Sequence, residues 1–95
     1  MYSEVMKLAK DYLAANGCIT TRIASYLVKC SVPTQILKKL KGPDRNKPSY
    51  WGRVIISSLK KQSLSRNSIY RSEVEDGKVV IYLVDMPSGT ECSAS

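Results

Sequence analysis

The stretch SYWGRVIISSLKKQ, residues 49–62, carries two patterns at once. Trp51, Val54, Ile55, Ser58, Leu59 and Gln62 recur at helical spacing and form one mostly apolar stripe that must face a core. Tyr50, Arg53, Ser57, Lys60 and Lys61 fall on the opposite side, a row of hydrogen-bonding and cationic groups on a rigid rod. Ser49, just after Pro48, is the expected N-terminal cap, because its hydroxyl can accept from a free backbone N–H of the first turn. Trp51 lies on the apolar stripe and is expected in the core.

Downstream, residues 68–84 read as a β-hairpin. Two β-rich runs flank Glu75-Asp76-Gly77-Lys78, and Asp-Gly suits a two-residue turn in which both positions need positive φ. That turn pairs Val74 with Val79, Ser72 with Ile81 and Tyr70 with Leu83 on the expected core face. The other face pairs Glu73 with Val80, Arg71 with Tyr82 and Ile69 with Val84, with Arg71 over the Tyr82 ring. Between the helix and the hairpin, Leu64 is expected to turn inward. From Asp85 onward the chain is polar and aperiodic, so 1–84 is read as one domain and 85–95 as a flexible tail.

Upstream, the spacing predicts a helix over 3–16 with Val5, Leu8, Ala9, Tyr12 and Leu13 inward and Gly17 as its stop. Met1, Tyr2 and Met6 lie outside that stripe and offer apolar surface for a second copy of the chain. Cys18-Ile19-Thr20 suits a short strand. Thr20 or Thr21 caps a second helix that buries Ile23, Ala24, Leu27 and Val28. Pro33 opens a third helix over 34–41 with Ile36, Leu37 and Leu40 inward and Lys38, Lys39 and Lys41 outward. Gly42 and Pro43 end it, and 42–48 is a loop charged by Arg45 and Lys47.

Ninety-five residues suffice for one modest core, and no apolar run is long enough to span a bilayer. The net charge of +7 is unevenly spread. Residues 31–66 hold nine lysines and arginines against Asp44 alone, whereas 67–95 are net acidic. Such clustering is costly in self-repulsion and is relieved by a polyanion. With no histidine, no glycine-rich phosphate loop and no acidic pair on a shared face, nothing points to an enzyme or a cofactor. Cys18, Cys30 and Cys92 have no metal-ligand spacing, so no metal is expected; Cys18 and Cys30 are read as small buried hydrophobes, with a disulfide between them as the alternative.

The order helix, short strand, two helices, basic helix and hairpin resembles the winged helix-turn-helix superfamily. NGCITTRIASYL (16–27) and YWGRVIISSLKKQSL leading to EDGKVVIYLV (within 50–84) carry the likeness. It extends over most of 3–84 and is nearest in flavour to small basic winged-helix proteins of archaea, their plasmids and viruses, including the DNA-binding adaptors of archaeal plasmid partition. The resemblance implies an α+β, mainly α fold: about four helices, a short first strand and a C-terminal hairpin wing.

It also implies a sequence-specific binder of double-stranded DNA, acting in transcription regulation or in plasmid or viral DNA segregation. Such a protein would be cytoplasmic, associated with the nucleoid, and a homodimer touching through helix 3–16. The helix beside the wing, 49–62, is the expected reader ahead of 34–41. Ser49, Tyr50, Arg53 and Ser57 would lie near base edges; Lys38, Lys39, Arg45, Lys47, Lys60 and Lys61 would meet phosphates, joined by Arg71 and Lys78 of the wing. The alternative reading is a winged-helix module that docks on a protein partner, through the N-terminal helix or the tail.

Overall fold

The computed structural model describes residues 2–42 and 44–84. Among them, four helices and three strands follow in the order α1 (Tyr2–Asn16), β1 (Cys18–Thr20), α2 (Thr21–Ser31), α3 (Thr34–Lys38), α4 (Pro48–Ser63), β2 (Tyr70–Glu75) and β3 (Lys78–Leu83). This is the expected α+β, mainly helical fold, and its layout is compatible with a winged helix. The readings made for Met1, Pro43, the tail 85–95 and Cys92 lie outside the described residues.

Helix α1 buries Val5, Met6, Ala9 and Leu13 and closes with the Gly17 N–H on the Leu13 carbonyl at 2.7 Å. Leu8 and Tyr12, expected inside, are half-buried. Of the apolar surface expected to face a second copy, Met6 is withdrawn and Tyr2 stays 48% exposed. Met6 is 6% exposed in the chain's own core, and the Tyr2 hydroxyl donates to Ser58 Oγ of α4 at 2.7 Å.

At the start of α2 the Thr20 hydroxyl accepts from the Ile23 N–H at 3.2 Å, so Thr20 rather than Thr21 is the cap. Helix α3 is shorter than expected, five residues ending at Lys38. Leu37 is buried, but Ile36 is 47% exposed, because one turn of helix can point only one of its apolar side chains inward. The cap expected of Ser49 is also not made. Helix α4 begins at Pro48, whose missing N–H costs nothing in a first turn, and Ser49 lies one position inside it.

Helix α4 buries Trp51, Gly52, Ile55, Ile56 and Leu59. The stripe is therefore turned slightly from its expected position: Gly52 and Ile56 are inside, whereas Val54, Ser58 and Gln62 are half-buried. Gly52 is the reason. A Cβ there would lie 2.0 Å from Ser25 Oγ and 2.9 Å from both the Ser25 nitrogen and the Thr21 carbonyl oxygen. The backbones of α2 and α4 touch at this point, and this is the most extensive helix–helix contact in the fold. Ile55 and Leu59, fully buried, each contribute about 1.5–3 kcal/mol of transfer free energy. Leu64 is 79% exposed, not inward as expected. Five residues beyond Leu59, it lies about 140° around the helix from the stripe.

The strands form one antiparallel sheet in the order β1-β3-β2. The hairpin register is the expected one, from Tyr70↔Leu83 to Glu75↔Lys78, and the turn has Asp76 at φ 52° and Gly77 at φ 75°. Strand β1 adds Cys18↔Tyr82, Ile19↔Ile81 and Thr20↔Val80. Ile19 and Ile81 join the helical core. The opposite face, expected to be the poorer one, is also buried on β3, where Cys18, Val80 and Tyr82 make a second cluster. Arg71 lies 5.2 Å from the centroid of the Tyr82 ring, as the pairing predicts.

The cysteines depart from expectation. Cys18 is buried but disulfide-bonded, and Cys30 is free and exposed, so the two are not joined. Cys30 is two residues beyond buried Val28, about 200° around α2, which turns it to solvent.

Candidate nucleic-acid interface

Two features fix the N-terminal end of α4. The Trp51 indole N–H donates to the Arg45 carbonyl at 2.8 Å, stapling the preceding loop to the helix. Trp51 is 7% exposed, a core residue as expected, and Tyr50 meets it edge-on with ring centroids 5.3 Å apart. The loop is further closed by the Lys47 N–H on the Asp44 carbonyl at 2.9 Å.

On its outward side α4 presents Arg53, Ser57, Lys60 and Lys61, all exposed, as the helical spacing requires. Open hollows lie on both flanks of this row. One, of about 620 Å³, is bounded by Arg22 of α2, Arg53 and Ser57 of α4, and Gly77 and Lys78 of the wing turn, over a floor that includes Ile56 and Val79. The other, of about 550 Å³, is bounded by Asp44, Tyr50, Arg53, Ser57 and Lys61. Arg53 and Ser57 border both. The helix thus stands as a ridge with a hollow to either side, and cations from three separate elements line the first hollow.

The expected site residues divide accordingly. Tyr50, Arg53, Ser57, Lys61 and Lys78 come together around the ridge; Ser49 and Lys60 are exposed on the same helix. Lys38, the last residue of α3, and Lys39, just beyond it, are exposed and border neither hollow. The Arg45 side chain folds back over Gly42, and a Cβ on that glycine would lie 3.0 Å from its Nε. Lys47 pairs with Asp44 at 3.1 Å, an exposed contact of small energetic worth. Arg71 lies on the sheet face away from α4, where its guanidinium meets Glu73 at 2.9 Å. It belongs to the back of the wing.

Arg22 was not among the residues expected at the site. Its signal lies in its place, immediately after the Thr20 cap at the start of α2, but only the crossing of α2 and α4 brings that turn beside Arg53. Two of the wing's acids, Glu73 and Glu75, have partners within the hairpin. Glu73 takes Arg71, and the Tyr82 hydroxyl donates to the Glu75 carboxylate. That bond, together with burial, pushes the Tyr82 hydroxyl up to about 12.

Comparison with family models, with characterised proteins and with solved structures finds no match to this chain. Among the described residues no helix is long and apolar enough to cross a membrane, and no group of three or more His, Cys, Asp or Glu is placed to hold a metal ion.

Proposed function

We propose that this chain binds double-stranded DNA as a homodimer, with the exposed ridge of α4 in the major groove. The observation that carries the reading is the convergence of Arg22, Arg53 and Lys78, from two helices and a turn, on one open hollow beside that ridge. A helix flanked by hollows can enter a groove about 12 Å wide while the groove's walls occupy the hollows. Arg53, borne by the ridge itself, is placed to bond a guanine edge with both arms of its guanidinium. Arg22, Lys60, Lys61 and Lys78 are placed for phosphates, which fix position without reading sequence. Such binding is the basis on which transcriptional regulation and plasmid or viral DNA segregation both rest, and it would hold the protein at the nucleoid.

Four phosphate contacts per protomer, eight in the dimer, give a log–log salt slope of about −7. Titration of a labelled duplex across salt concentrations measures it, and an affinity flat in salt rejects the reading. Arg53→Ala should cost about 1–3 kcal/mol and flatten the preference among duplexes selected from a random pool. Lys61→Ala should weaken all duplexes alike and reduce the slope by about two, one contact being lost from each protomer. A Lys61→Ala variant that changed sequence preference, with Arg53→Ala leaving it intact, would reverse the assigned roles.

A further inference from the structure

Among the described residues strand β2 ends the sheet, and although Arg71, Glu73 and Glu75 charge one of its faces, no proline or bulge interrupts its edge. Tyr70 to Glu75 contains no proline, lysine or glycine, and its register with β3 runs without a bulge. Edges of this kind are templates for another strand. Val74, on the face shared with Ile81, is 69% exposed.

The parity of the ladder settles which groups face outward. The Val84 N–H bonds the Ile69 carbonyl at 2.9 Å, so Ile69, Arg71, Glu73 and Glu75 direct their backbone groups to β3. Tyr70, Ser72 and Val74 therefore direct theirs away from the sheet. The Ser68 hydroxyl accepts from the Tyr70 N–H at 3.0 Å, which leaves Ser72 at the middle of the outward row.

We infer that β2 pairs with β2 of a second copy of this chain, antiparallel about a two-fold axis through Ser72. This names the contact for the homodimer proposed above and rests on that reading, though not on DNA. About this axis Ser72 meets Ser72 of the other copy in a hydrogen-bonded pair, and Tyr70 meets Val74, with the Tyr70 N–H exchanging its bond to the Ser68 hydroxyl for the Val74 carbonyl of the other copy. Arg71 meets Glu73 in the closely spaced, non-hydrogen-bonded pair, where side chains interact most strongly.

The neighbouring registers fail. A shift of one residue sets outward groups against inward ones. A shift by two in one direction puts Arg71 against Arg71, and in the other Glu73 against Glu73. Like charges directly opposite are destabilising, so one register alone is complementary. The alternation Tyr70-Arg71-Ser72-Glu73-Val74 is self-complementary in charge about its centre, and pairing covers Val74 with an aromatic ring. The other edge, β1, has three residues and runs straight into α2.

Sedimentation of the full chain without DNA tests the pairing. Wild type should dimerise at micromolar concentration. Ser72→Pro removes an N–H that only the second copy needs, so the chain should keep its circular dichroism and sediment as a monomer. Glu73→Arg sets like charges across the axis twice and should weaken the dimer about tenfold, while Arg71→Glu combined with Glu73→Arg should restore it. If Ser72→Pro fails to fold, the charge series decides alone. A wild-type monomer overturns both the homodimer and this contact. A dimer indifferent to Ser72→Pro and to Glu73→Arg overturns the contact and leaves the homodimer standing on another surface.

Discussion

Gly52 and Gly77 border the same part of the molecule and do opposite kinds of work. Gly52 is buried inside α4, where the backbones of α2 and α4 come together with no room for a Cβ. Gly77 tips the hairpin with nothing within 4 Å of where its Cβ would be, and is required only by its φ of 75°. The helical half is thus held by a steric contact between elements distant in sequence, whereas the wing is held by local backbone geometry. Strand β2 contains no buried residue, while β3 buries Val80, Ile81 and Tyr82. The wing is consequently anchored most deeply through β3, while β2 lies against α4 and reaches the core only through half-buried Tyr70, leaving the tip projecting. Under the proposed function this division suits a helix that fixes register and a wing tip that follows it.

The sharpest way to break this contrast is Gly52→Ala. Alanine favours a helix in isolation, so any loss must come from the crossing. Because two of the three close neighbours are backbone atoms, no rotamer change relieves the clash, and α2 and α4 must separate. We expect a loss of about 3 kcal/mol, measured by denaturant unfolding. DNA affinity should fall with it, since the spacing of Arg22 from Arg53 depends on the same crossing. Unchanged stability would mean that the helices are not in contact at this point.

The contrast also explains what could be read from the sequence. The wing was legible to the residue, because Asp-Gly fixes a turn and a turn fixes every pair behind it. The polar row Arg53, Ser57, Lys60 and Lys61 was legible because helical spacing is regular. Gly52 was not, since a residue without a side chain leaves no hydropathy signal, and with it went the inward turn of Ile56. Arg22 was missed because its membership of the site is a tertiary fact, created by the packing of α2 on α4. Ile36 was assigned inward by helical spacing and Leu64 by its hydrophobicity, yet each lies where its helix has already turned away or ended. Arg71 was grouped with the phosphate contacts by charge; its place over Tyr82, on the sheet face away from α4, was legible from strand alternation.

Tyr82→Phe tests how far β3 alone anchors the wing. A free tyrosine hydroxyl loses its proton near pH 10, and this one is held up to about 12 by its bond to Glu75 and by burial. Between those values the folded chain keeps a proton that the unfolded chain has shed. The unfolded state then binds fewer protons, so the contribution is complete below pH 10 and drains away as pH rises towards 12. At neutral pH the substitution should cost about 1.5 kcal/mol through the lost bond to a charged group. The deficit relative to wild type should shrink through the alkaline range; a deficit constant in pH would assign it to packing.

Gly77→Ala is the mildest of these changes and the one that separates the two glycines by mechanism. Open space around the position removes any steric argument, so the cost is conformational only, about 1 kcal/mol for placing alanine in the left-handed region. Asp76 already tolerates such a φ, at 52°, because its short polar side chain can bond locally. The loss should be recovered by a D-alanine at position 77 introduced by chemical ligation, since that residue favours positive φ. No backbone change of this kind could rescue Gly52→Ala, where the obstacle is a neighbouring helix. Because Gly77 borders the hollow shared by Arg22, Arg53 and Lys78, the L-alanine variant also reads out the wing's share in DNA binding. A drop in affinity no larger than the drop in stability would mean that the helix ridge grips the groove without the wing tip.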